Sequence, residues 1–95
     1  MIRAIITRRV QPGREVAIDA LLRELRIAAN RQPHYITGET LMGVYDPAVR
    51  VVLSTWTDLD AWNAWLEKQE RIEIEQMIDS LLVAEPQVLV CGTVR

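Results

Sequence analysis

The chain has 95 residues, 49% hydrophobic and 25% charged, with a net charge of -2 at pH 7. That balance excludes a disordered chain, a fibrous repeat and a coiled coil, and the arginines are scattered too widely to make a basic footprint for nucleic acid. One domain over residues 1–95 is expected, with a modest core that a partner subunit would help to complete.

Arg3 and then Arg8-Arg9 interrupt the apolar start. No signal-peptide core is left, and no run approaches the roughly 20 residues of a membrane span. No membrane partner is therefore expected, and the expected address is cytoplasmic. Residues 2–10 alternate as a strand and stop at Gln11-Pro12-Gly13. Over residues 14–30, Ile18, Leu21, Leu22, Leu25, Ala28 and Ala29 recur at three and four, which predicts an amphipathic helix. Asp19 and Arg23 are spaced for an i,i+4 pair on it. Pro33 forces the chain out of helical geometry. Residues 35–44 and 49–56 then read as a hairpin turning at Asp46-Pro47.

Thr57 with Asp60 resembles a capping box, and Leu59, Trp62, Trp65 and Leu66 follow as a helical stripe. A second stripe, Ile74, Met77, Ile78, Leu81 and Leu82, is out of phase with the first. The helical region should therefore break near residues 69–72, although no glycine or proline marks the place. Glu85-Pro86 ends it, and residues 88–91 make a short last strand in which the single cysteine, Cys91, reads as a small buried hydrophobe.

Strand, helix, strand, strand, helix, strand is the ferredoxin-like βαββαβ order of an α+β fold, with an antiparallel sheet and its helices on one face. In the third strand Val52 and Trp56 lie on the side opposite Val51 and Leu53, so both faces of the sheet are apolar. Ile5 and Leu89 or Cys91 repeat that character in other strands. The face without helices is expected to cover itself with a second copy, giving a sheet-to-sheet homodimer.

The segment 54–66 holds all three tryptophans of a chain that has no phenylalanine. Together with Val10-Gln11-Pro12-Gly13-Arg14-Glu15 and Gln32-Pro33-His34-Tyr35-Ile36-Thr37-Gly38, the runs Ser54-Thr55-Trp56 and Trp62-Asn63-Ala64-Trp65-Leu66 resemble the antibiotic biosynthesis monooxygenase domain family over nearly the whole chain. The resemblance implies a dimeric α+β barrel with a ligand cavity between sheet and helices. It also implies one of several activities: oxidation of polycyclic phenols to quinones by dioxygen without metal or flavin, haem degradation, or a role in quinone or autoinducer metabolism. The haem-degrading members use an asparagine, a tryptophan and a histidine, whose matching positions here are Thr7, Trp65 and Glu75. Only the tryptophan is kept. A carboxylate does not replace the imidazole that ligates haem iron, so haem degradation is not expected. No cofactor and no metal site are expected.

The candidate pocket residues are thus Trp65, Thr7, His34, Asn63 and Glu75. Trp65 offers a rigid aromatic face to a planar ligand, or is a core residue of its helix. His34 could serve as a general base, or is a polar residue at a strand entrance. Asn63, with Trp62 or Trp65, is a counterpart of the polar residues that surround the phenolic substrate in quinone-forming members. Thr7 also reads as an ordinary strand residue, and Glu75 as part of a solvated helix face. Two functions remain open: a cofactor-independent monooxygenase of a small aromatic or quinone-like molecule, or a non-catalytic, ligand-binding or regulatory homodimer of the same fold.

Overall fold

The computed structural model describes residues 1–95 as seven elements: β1 (Ile2–Arg9), α1 (Glu15–Asn30), β2 (Tyr35–Met42), β3 (Val49–Trp56), α2 (Leu59–Leu66), α3 (Gln69–Asp79) and β4 (Gln87–Gly92). The strands form one antiparallel sheet in the order β2-β3-β1-β4. This is the ferredoxin-like α+β arrangement that the order of elements predicted. No helix is long and apolar enough to cross a membrane.

Strand alternation decides which side chains reach the core. Along β1, Ala4, Ile6 and Arg8 point to the helices and are buried, as is Val10 just beyond its end. On β3 the partners of Ala4, Ile6 and Arg8 are Ser54, Val52 and Arg50. The helices close this face with Ile18, Leu22, Leu25, Ala28 and Ala29 of α1, Ala61, Trp62 and Trp65 of α2, and Ile74 and Ile78 of α3. The opposite face carries Ile5 between Leu53 and Leu89, and Thr7 between Val51 and Gln87. Its apolar side chains are only half-buried or are exposed, with Leu41 43% and Leu89 58% accessible. Cys91 belongs there too, opposite Arg3, and is half-buried rather than part of the core.

Three local expectations are corrected. Asp19 does not pair with Arg23; it accepts two hydrogen bonds, at 2.8 and 3.2 Å, from the buried Arg50 guanidinium. The cap of α2 is Asp58 rather than Thr57, because the Asp58 carboxylate accepts from the Ala61 N–H at 2.8 Å. The helical region breaks at Glu67 and Lys68, just ahead of the expected 69–72. Lys68 is extended there (φ -67, ψ 128), and Arg71 donates to the freed Leu66 carbonyl at 3.2 Å. The break needs no glycine or proline because it is the change of phase that brings both Trp65 and Ile74 onto the core.

Candidate functional site

Trp56 ends β3 on the helix side and is 1% exposed, with its indole N–H donating to Ser54 Oγ at 3.1 Å. It therefore has no part in the open sheet face. Trp65 of α2 lies over it with ring centroids 5.7 Å apart and planes inclined by 30°, a stacked pair. Trp62 and Tyr35 meet the same ring edge-on, at 5.9 and 5.2 Å. Such offset and T-shaped contacts are the arrangements that ring quadrupoles favour. A bulge between Tyr35 and Thr37 turns Tyr35 inward, and its hydroxyl lies over Gly38, where any Cβ would overlap it.

These rings wall a cavity between the sheet and the helices. Ile6, Leu22, Leu25 and Val52 supply its apolar lining, and Arg8, Arg26, Arg71 and Glu75 its charges. Glu39 and Leu53 also touch it, but the register assigns their side chains to the opposite face. Its volume is ≈ 40 Å³, against roughly 300–1,000 Å³ for a pocket that takes a drug-sized ligand. A single small ring is nearer its scale, and a fused polycycle would have to displace side chains.

The polar end of the cavity is built from two elements, β1 and α3. Arg8, 1% exposed on β1, donates from Nη2 to both carboxylate oxygens of Glu75 on α3, at 2.8 and 3.0 Å. Arg71, one turn before Glu75, approaches the same carboxylate at 3.9 Å. At the other end, burial pushes the Tyr35 phenol above its ordinary pKa, and the neighbouring Arg26 guanidinium opposes that shift. Tyr35 thus keeps its proton at neutral pH and can donate a hydrogen bond but not act as a base.

Residues 1–74 match the sequence profile of the antibiotic biosynthesis monooxygenase family. The chain belongs to the antibiotic biosynthesis monooxygenase family. Among solved structures, one described as an antibiotic biosynthesis monooxygenase superposes with a TM-score of 0.92 at 18% identity, each chain covered over 100% of its length. SnoaB, a cofactor-independent oxygenase from Streptomyces nogalater, follows at 0.90 and 15% identity, covering 99% of this chain and 93% of its own. A conserved protein from Methanosarcina mazei Go1 gives 0.91 at 17%, with 95% and 89% covered. At such identities these likenesses speak for the fold alone. No curated protein matches the sequence.

Within this antibiotic biosynthesis monooxygenase domain, the structure brings two of the five sequence candidates, Trp65 and Glu75, to the cavity. Glu75 is not on a solvated helix face, its side chain being only 13% exposed and bound by Arg8. The other three lie elsewhere. Thr7 is one residue out of phase and points through the opposite face of the sheet, since side chains alternate along a strand. Asn63 is exposed on the outer side of α2. His34 is exposed in the loop before β2, in the left-handed region (φ 69), with its carbonyl accepting from the Thr57 N–H at 3.0 Å. Residue-by-residue reading missed Arg8, Arg26, Tyr35 and Arg71. The alternation that buries Ala4 and Ile6 already assigned Arg8 to the inner face, a signal that was present in the sequence.

Proposed function

We propose that the protein is a cofactor-independent monooxygenase acting on a small aromatic or quinone-like molecule held in the cavity between sheet and helices, and that it works as a homodimer. The observation that carries this reading is the stacked Trp56–Trp65 pair set beside charged groups in one cavity. An aromatic wall orients a planar ring, and a water-poor site favours reaction of a substrate anion with dioxygen over side reactions. In the reaction class that fits, a phenol and dioxygen give a quinone and water, and the protein contributes orientation, exclusion of solvent and a proton acceptor.

Trp65 is assigned the ring-stacking role. Glu75 is assigned the role of proton acceptor, because its carboxylate is the one lining side chain suited to it: Tyr35 holds its proton, and Ser54 is engaged by Trp56. SnoaB, whose fold this chain shares, is itself a cofactor-independent oxygenase, which agrees with the reading.

The test is oxygen uptake by the pure protein over a panel of single-ring and fused hydroquinones, compared with Trp65→Ala. Uptake by the parent protein and a drop of roughly tenfold or more in the variant, the scale of a lost positioning contact, are expected. Uptake that is absent across the panel, while the same compounds still bind, would replace the enzyme with the second reading, a non-catalytic ligand-binding dimer.

A further inference from the structure

Arg8 is the least ordinary residue of the chain. An arginine has five N–H groups, and burying any of them without an acceptor is costly. Nη2 spends its two on Glu75. Nε and Nη1, which carry the other three, are fully buried and have no hydrogen-bond partner on the protein. A side chain 1% exposed, lining a cavity with donors left free, is arranged to serve an acceptor that arrives from outside.

The local charge says what kind of acceptor. Glu75 stands between two guanidiniums, Arg8 at 2.8 Å and Arg71 at 3.9 Å, so one carboxylate faces two positive charges. Arg26 adds a third at the Tyr35 end of the lining. Guanidinium groups hold carboxylates and other oxyanions by charge-assisted hydrogen bonds, which are about twice as strong as neutral ones. The stacked indoles that line the same cavity offer a surface to a flat ring.

We propose that the cavity binds a planar aromatic anion whose ionised oxygen, carboxylate or phenolate, accepts a hydrogen bond from the free N–H groups of Arg8 while its ring lies against the tryptophan wall. Glu75 then serves the ligand in a second way, because its hold on Nη2 fixes the guanidinium plane while Nε and Nη1 keep no partner on the protein. The inference rests on the cavity reading above and not on turnover, and it is tested without oxygen.

Proton–nitrogen correlation spectra of the whole chain are followed during titration with benzoate, with its neutral isostere benzamide, and with 4-nitrophenolate, reading the three indole N–H signals and Arg8 Nε–H. Benzoate or 4-nitrophenolate is expected to shift Arg8 Nε–H and the indole signals and to bind about tenfold or more tightly than benzamide, as a charge-assisted hydrogen bond implies. Which of the two anions binds more tightly decides between carboxylate and phenolate. In the variant Arg8→Met/Glu75→Gln/Arg71→Gln, which removes the Glu75 carboxylate with both guanidiniums that face it, the preference for the anions should vanish while benzamide still binds. Equal affinity for anion and isostere, or a preference kept in the folded variant, overturns the proposal. No shift with any ligand overturns the cavity as a ligand site as well. If the variant does not fold, the response of Arg8 Nε–H in the parent protein decides: a shift with benzamide as large as with the anions refutes the proposal.

Discussion

The Tyr35 phenol ionises only above its ordinary pKa because burial penalises its charged form more than Arg26 relieves it. Its folded pKa lies above the unfolded value near 10, so the preference contributes stability that is fully present below about pH 10. As pH rises beyond that, the unfolded chain gives up its proton first, and stability falls until the folded phenol ionises too. Urea midpoints measured from about pH 9 to 11 should therefore drop more steeply for the parent protein than for Tyr35→Phe. Parallel curves would refute the raised pKa. Single residues were the hardest scale to read. Trp65 could be placed because it sits in an apolar stripe whose phase is visible. Arg8 could not be given a role, because the same two letters, Arg8-Arg9, describe one buried guanidinium on Glu75 and one exposed guanidinium on Asp46. Strand alternation turns Arg8 inward, but its partner Glu75 lies on a distant helix that spacing along β1 does not reveal.

Elements were far more legible, since periodicity is a property of several residues at once. The alternation in β1 and β3 predicted both faces, and the out-of-phase stripes predicted a helical break within two residues of where it lies. What failed was the choice between neighbours of equal chemistry. Thr57 and Asp58 can each cap a helix; Asp58 does so because it is the one held extended, at φ -157 and ψ 174, with its carboxylate toward the Ala61 N–H. Asp58→Ala should cost about 1 kcal/mol in a denaturant titration, and Thr57→Ala markedly less. A reversed order would return the cap to Thr57. Asp19 shows the same competition. An exposed pair with Arg23 would be worth only about 0.3–0.5 kcal/mol, whereas the buried Arg50 guanidinium needs its carboxylate. Spacing along one helix could not reveal a claim made from another element.

For the whole molecule, three helices cover one face of a four-stranded sheet and leave the other to solvent. The uncovered face presents Ile5, Leu41, Val51, Leu53 and Leu89 around a single stretch of sheet, the kind of contiguous apolar surface that marks an association site. Sedimentation at micromolar concentration should show a dimer, and Leu53→Lys, which sets a charge at the middle of that face, should show a monomer with its helices intact. A stable monomer of the parent protein would reject the pairing. The strand alternation of β1 and β3 serves both faces, sending Ile5, Val51 and Leu53 to the open side and Ala4, Ile6, Val52 and Trp56 to the helices and the cavity. The tryptophan cluster carries one more consequence. Indoles 5.7 and 5.9 Å from Trp56 have transition dipoles that mix with its own, so light is absorbed by the cluster and not by one ring alone. The cavity wall thus gives the folded chain a chiral optical signature of its own, which any molecule wedged between the rings would extinguish.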